Sequence, residues 1–353
     1  MAASVSPSAR AVDRVRIAVV GAGLIGLRHK EAVKSAGHIL AAIADPDPAA
    51  RAIAETDGIP YFESVDALLA ARLADGVIVA TPNATHVDTG LACVRAGMPV
   101  LIEKPIATDA KDAERFLTAA DRAGMPILVG HHRRHNPLIS RAKAEIDNGT
   151  LGRIVTVQAT FWLVKPDGYY EATWRRQPGA GPIFINLIHD VDLLRHLCGD
   201  VASVQAATSN TARRFDVEDS AAVILKFANG ALGTVSVSDA VPAPLSWEMT
   251  ARENPAYPAT DQACYWIGGT EASMELPGLK IWRHAGDQSW WSPITTWSPP
   301  VGWDDPLVRQ IEHFAKVIKG EALPLVSGRD GVEALKIVEA VRTSAATGRI
   351  VSL

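Results

Sequence analysis

Cysteine is scarce in this chain: Cys93, Cys198 and Cys264 are the only three in 353 residues. A scattered, odd-numbered set offers neither a disulfide framework nor the paired spacing of a zinc site, so no metal is expected. No apolar run approaches the roughly 18 residues that a membrane span requires. The formal net charge of −4 gives no basic excess for nucleic acid or an anionic membrane. The first 13 residues, rich in Ala and Ser, lack the apolar centre of a signal peptide and read as a flexible tail over 1–13. These absences predict a reduced, cytoplasmic setting. The remainder is ordinary globular composition, 48% hydrophobic and 21% charged, long enough for two domains.

What is present begins with alternation. Val15–Val20 is a short apolar run closed by glycine, as in a buried parallel strand. Helical spacing follows over Leu24–Ala36 and stops at Gly37. Further strands are predicted at Ile39–Ala44, Gly76–Ala80, Pro99–Ile102 and Pro126–Val129, with helices over 64–71, 85–96 and 108–123. Strand–helix alternation with short connections predicts an α/β Rossmann-type domain with a doubly wound parallel sheet over 14–135.

The texture then changes. Ile154–Leu163, Val201–Ser209, Ser220–Phe227 and Ala231–Asp239 have strand character, and Ala228-Asn229-Gly230 between the last two is a hairpin signal. Helices are expected at Leu187–Leu197, Pro306–Lys319 and Gly331–Ala345. This predicts an α+β domain with a large, mostly antiparallel open sheet over 136–353, its C-terminal helix able to pack back on the first domain.

Three motifs carry chemistry. In Gly21-Ala-Gly23-Leu24-Ile25-Gly26 the first glycine permits a tight turn and the second lets backbone approach a pyrophosphate. The third allows close helix–strand packing, and the helix N-terminus receives the phosphate charge. Asp45, ending the second strand, is placed to bond a ribose 2′-hydroxyl and to repel a 2′-phosphate, which favours NAD over NADP. Thr81-Pro82-Asn83, with His86 beyond, lies at the same crevice; Thr81 or Asn83 suits a cap of the helix starting near Ala84, a role compatible with contact to the nicotinamide ribose. Glu103-Lys104-Pro105 closes a buried strand, so the Lys104 ammonium points past the carboxyl end of the sheet, where ligands bind. There it can stabilise an alkoxide as hydride leaves. On the helix beginning near Leu187, Leu187, Val191, Leu194 and Cys198 form the core stripe. His189, Asp192 and His196 share another face. His189 is either a general base, oriented by Asp192, or an inert buried histidine. Asn186 suits a helix N-cap.

These motifs, with Gly130-His-His-Arg-Arg-His-Asn-Pro137 and Gly328-Arg-Asp-Gly331, resemble the Gfo/Idh/MocA oxidoreductases over nearly the whole chain. The resemblance implies an NAD-binding domain joined to a substrate domain whose sheet face makes a homodimer or homotetramer. It implies Lys104 and His189 as the catalytic pair. It implies cofactor contacts from Gly21, Gly23, Leu24, Ile25, Gly26, Asp45, Thr81, Pro82, Asn83, His86, Glu103, Lys104, Arg133, Trp174 and Arg175. Substrate contacts fall to Lys104, Arg133, Asn186 and His189, and the substrate class is a sugar, cyclitol or related polyol oxidised at a secondary hydroxyl.

One position departs from the family pattern. Where many members carry an aspartate four residues before the histidine, this chain has Ile185, with Asn186 the only nearby polar replacement. Five of the nine tryptophans (Trp282, Trp290, Trp291, Trp297, Trp303) crowd into one segment. They serve either to pin a loop to the sheet or a neighbouring subunit, or as a sugar platform. Three other functions stay open: a dihydrodiol dehydrogenase, an NAD-dependent lyase or glycosidase with transient oxidation, and a non-catalytic nucleotide sensor.

Overall fold

The computed structural model describes residues 14–353, so the expected tail over 1–13 lies outside the described residues. Short apolar runs become a parallel sheet: β1 (Arg16–Val20), β2 (Ile39–Ala44), β3 (Tyr61–Phe62), β4 (Gly76–Val79), β5 (Val100–Ile102) and β6 (Ile127–Val129). Their order is β3-β2-β1-β4-β5-β6. Helices α1 (Leu24–Ser35), α2 (Ala49–Asp57), α3 (Val65–Ala71), α4 (His86–Arg95) and α5 (Ala110–Ala123) connect them. Because β4 lies on the far side of β1 from β2, the crevice at their carboxyl ends is the switch point of a doubly wound sheet. Side-chain caps from Ser64 and Asp109 start α3 and α5, and Gly58 and Gly124 end α2 and α5 in the left-handed region.

After α6 (Pro137–Asp147), β7 (Ile154–Val164) opens the second sheet, and α7 (Ile188–Cys198) crosses beneath it. Strands β8 (Val201–Ser209), β9 (Ser220–Phe227), β10 (Leu232–Ser238) and β11 (Ala240–Leu245) follow. The short helix α8 (Trp247–Thr250) then leads to β12 (Tyr265–Gly269), β13 (Ser273–Leu276), β14 (Lys280–His284) and β15 (Ile294–Trp297). The chain ends with α9 (Pro306–Ile318), α10 (Gly328–Thr347) and β16 (Val351–Ser352). The path β15-β14-β13-β12-β7-β10-β9-β8-β16, with β11 on β7, is antiparallel except for the parallel β7–β10 pair. Alternating burial along β9 shows one covered face and one open face. The expected hairpin forms, with Gly230 at φ +91° and the Asn229 side chain bonded to Ala231 N and Cys198 O.

Two extended cores result, one under each sheet. Helix α9 joins the first through Leu307, Ile311, Phe314, Ala315 and Val317. Helix α10 spans both, with Val332 and Leu335 in the first and Ala334, Ile337, Val338 and Val341 in the second. Among the described residues no helix is long and apolar enough to cross a membrane.

Four of the five clustered tryptophans fall in the β14–β15 edge hairpin, where Trp297 packs against the second core, and Trp303 lies beyond it, exposed. Trp282 stacks on Trp266 at 5.1 Å, whereas Trp290 and Trp291 are 89% and 86% exposed.

Candidate active site

The glycine turn has a different reason at each glycine. Gly21 has φ +97°, and a Cβ there would lie 2.5 Å from Ala80 O. A Cβ on Gly26 would lie 1.9 Å from Gly21 O, so helix and turn touch directly. At Gly23 a Cβ would meet nothing within 4 Å, so this glycine keeps space open for a ligand rather than for the protein. Gly23 caps α1 with no side-chain bond, and the first turn carries no acid, which leaves its N–H groups free for an anion. Leu24 beside it is 85% exposed, and Ile25 is half-buried against the first core. Asp45 accepts from Ala22 N at 2.6 Å and from Asp47 N at 2.8 Å, tying the end of β2 to the glycine turn. Across the crevice, Thr81 Oγ1 is buried without a partner, and neither Thr81 nor Asn83 caps a helix. Pro82 and Asn83 are exposed there. An open glycine cradle, an uncapped helix end, a carboxylate at β2 and an orphaned hydroxyl fit a dinucleotide.

Two members of the expected cofactor set turn inward instead. His86 is buried, with its ring nitrogens 2.8 Å from both Thr81 O and Pro105 O. It therefore clamps the ends of β4 and β5 rather than reaching the crevice. Glu103 is buried with Oε1 2.7 Å from His29 Nε2, while Oε2 accepts from Lys104 N. Burial pushes its carboxyl up, but the His29 bond and neighbouring positive charge bring it down to about 2. Its role is to hold the strand end from which Lys104 projects. Trp174 and Arg175 form a stack of their own: the Arg175 guanidinium lies 4.1 Å from the Tyr169 ring and donates to Tyr169 O.

Lys104 Nζ donates to Ile185 O at 3.4 Å. Residues Ile183–Leu187 form one turn of π-helix leading directly into α7. Thus Lys104, from the first sheet, meets the segment that carries His189. The expected N-cap is absent: Asn186 lies inside the π turn, and its Oδ1 accepts from Lys165 Nζ at 2.9 Å. Asp192 does not orient His189. It takes a two-pronged bond from Arg134, at 2.9 and 2.6 Å. Asp190 is likewise held by Arg133 Nη1 at 2.9 Å and by the Tyr265 hydroxyl. Burial still pushes its carboxyl up to about 6. Arg133 Nη2 meets Glu248 Oε1 at 2.6 Å, so both ends of this guanidinium are occupied.

His189 is therefore left with cations and imidazoles. Its ring packs edge-on against His131 and His132 at 5.8 and 5.7 Å. Burial, then Lys104 and Arg133, hold its pKa well below 6.5. Nδ1 is buried without a partner, leaving Nε2 as the nitrogen able to exchange a proton. The ring lines a cavity of about 150 Å³ with Arg28, His132, Arg133, Glu248 and Tyr257. Trp247, rather than any of the five clustered tryptophans, contributes the indole there. Lys165, Trp247, Glu248 and Tyr265 were not singled out in the sequence. Only Lys165, closing a long strand before Pro166 as Lys104 does before Pro105, carried a usable sign.

Residues 15–131 match a model described as an oxidoreductase family, NAD-binding Rossmann fold, and residues 139–275 match the GFO/IDH/MocA C-terminal domain. Among curated relatives, the rhizopine catabolism protein MocA of Rhizobium meliloti is 28% identical, covering 93% of this chain and 94% of that protein. Inositol 2-dehydrogenase of Rhizobium meliloti is 29% identical, with coverage of 96% and 99%. Among solved structures, the WlbA dehydrogenase of Chromobacterium violaceum in complex with NADH and UDP-GlcNAcA is 31% identical. It superposes with a TM-score of 0.78 over 96% of each chain. With both halves matched in order and the cofactor cradle built as described, the chain belongs to the Gfo/Idh/MocA oxidoreductase family and carries its NAD-binding Rossmann domain.

Proposed function

We propose that this enzyme oxidises a secondary hydroxyl of a sugar, cyclitol or related polyol, with Lys104 and His189 at the reacting carbon. The observation that carries this reading is the convergence of the two residues. Lys104 Nζ bonds to the π turn four residues before His189, and His189 lines a cavity of about 150 Å³. The names of the relatives, inositol 2-dehydrogenase among them, support the substrate class.

Bound NAD supplies the acceptor for the hydride, which takes two electrons from the carbinol carbon. The glycine turn and the N-terminus of α1 hold its phosphates, and Asp45 its ribose. His189, neutral at physiological pH, receives the hydroxyl proton at Nε2 and passes it to solvent, so one proton is released per carbonyl formed. The Lys104 ammonium donates to the oxygen as negative charge gathers there.

Lys104→Met and His189→Ala test the pair. Each is expected to bind NAD as the parent does, by fluorescence titration, while losing about 10²–10⁴-fold in kcat, the usual range for a positioned acid or base. Full turnover in either variant overturns the assignment. Net NADH accumulation in the same assays separates hydroxyl oxidation from a transient-oxidation lyase.

A further inference from the structure

We propose that the hydroxyl substrate carries a carboxylate, and that Lys165 is the residue that binds it. The inference rests on the hydroxyl-oxidation reading above and narrows its substrate to polyhydroxy acids.

The π turn before α7 is approached by two lysines from different sheets. Lys104 bonds to Ile185 O, and Lys165, just past the end of β7, bonds to Asn186 Oδ1. Residues 185 and 186 are consecutive, so two ammonium groups meet one turn immediately ahead of His189. That turn offers them no carboxylate, because Ile185 is apolar and Asn186 is neutral. The next two acids along α7 are unavailable, Asp190 being held by Arg133 and Tyr265 and Asp192 by Arg134. Among the described residues, the carboxylate paired with Lys165 is Asp239, whose Oδ2 lies 3.1 Å from Nζ. Asp239 is shared, since Tyr170 donates to it at 2.7 Å and Arg213 Nε at 3.3 Å. Asp239 thus faces two cations and a phenol; the other acids nearby are Asp167, exposed and 3.9 Å from Arg213, and Glu248, which acts on Lys165 but is bonded to Arg133 Nη2 at 2.6 Å.

Lys165 is buried, and a buried ammonium without full counter-charge is costly. Each lysine has three N–H donors. Lys165 uses two on Asn186 and Asp239, and Lys104 uses one on Ile185. The unused donors and the charge deficit are what a carboxylate satisfies, through charge-assisted bonds that a neutral hydroxyl does not match. A neutral polyol leaves the deficit in place. The chemical class is therefore an aldonate, a uronate or a cyclitol carboxylate. Lys165 binds the acid group, and Lys104 remains at the hydroxyl.

Matched pairs test this: glucuronate against glucose, galacturonate against galactose, and quinate against myo-inositol, each with NAD. The acid of at least one pair is expected to exceed its neutral partner at least tenfold in kcat/KM. Lys165→Gln, and independently Asn186→Asp, which sets an acid beside the ammonium, are each expected to lower that acid-to-neutral ratio tenfold or more. The change should appear in KM rather than kcat, and Lys165→Arg should restore part of it. Calorimetric titration of the same compounds into the enzyme–NADH complex separates the two claims. Lys165-dependent binding of an acid without NADH formation overturns hydroxyl oxidation and leaves the carboxylate site standing. Preference for the neutral partner in every pair, binding of no acid, or a ratio unmoved by both variants overturns the carboxylate site.

Discussion

His189 is a histidine without a carboxylate partner, and its titration should show it. Its strongest charged neighbours are Lys104, Arg133, His132 and His131, all of which disfavour the imidazolium once burial has done so. The ring therefore stays neutral, and able to accept a proton, at pH values where a free imidazole is half protonated. For the oxidation direction, the acid limb of kcat/KM is expected well below pH 6.5. Burial also lowers the Lys104 ammonium from 10.5, so the alkaline limb is expected below pH 10.5. A pH profile of kcat/KM checks both, and an acid midpoint at or above 6.5 contradicts the environment described. At this scale the sequence was informative wherever the constraint is local. Gly21 and Gly26 follow from backbone geometry within a few residues, and Lys104 from a strand that stops at proline. Partner choice was not legible. Spacing placed Asp192 on the same helix face as His189, but an arginine from another turn, Arg134, claims it.

That arginine works between elements. Arg134 sits in the 3₁₀ turn His132–His135 after β6, and its guanidinium joins Asp192 on α7 to Asp330 at the start of α10, 3.3 Å away. Asp330 in turn completes a capping box with Ser327. Replacing Arg134 by Met strands Asp192, which is only 1% exposed. Removing one partner of a buried pair typically costs about 3–5 kcal/mol, while replacing both by apolar groups is often nearly neutral. Urea unfolding of Arg134→Met is thus expected to show a loss of about 3 kcal/mol, and the Arg134→Met/Asp192→Leu double variant to recover most of it. A single variant within 1 kcal/mol of the parent would remove the arginine from this role. In the first sheet β1, β2, β4, β5 and β6 were legible because each is a short apolar run closed within a few residues by Gly, Pro or Asp, and α1, α3, α4 and α5 because helical spacing fills the stretches between them. Helices α2, α6 and α8 and the short strands β3 and β11–β16 were not. Strands β14 (Lys280-Ile-Trp-Arg-His284) and β15 (Ile294-Thr-Thr-Trp297) are only five and four residues long, too short for a two-residue period to stand out.

Across the whole molecule, the boundary near residue 135 separates the two sheets in sequence, but the first core draws on chain from both sides of it. Helix α9 follows the second sheet in sequence yet lies against the first: Phe314 and Ile318 press on Gly76 at the start of β4, where a Cβ would lie 2.5 Å from Ile318 Cδ1. Helix α10 then crosses back between the cores. The expectation that the C-terminal helix can pack back on the first domain agrees with α10, whose Val332 and Leu335 join the first core, whereas the place of α9 was not legible, because its apolar stripe states only that it is covered, not by which sheet. The consequence is thermodynamic. Ile311, Phe314, Val332 and Leu335 are fully buried in the first core. Each such side chain contributes roughly 1.5–3 kcal/mol. Losing four of them removes an amount comparable to the about 5–15 kcal/mol that holds an ordinary domain folded. A fragment ending at residue 135 is therefore expected to lack a cooperative thermal transition in calorimetry, although it contains the entire glycine turn, Asp45 and Lys104. The intact chain is expected to unfold in one transition, since α9 and α10 couple the sheets. A sharp transition in the fragment would show that the first sheet holds its own core, and that these two helices only dock upon it.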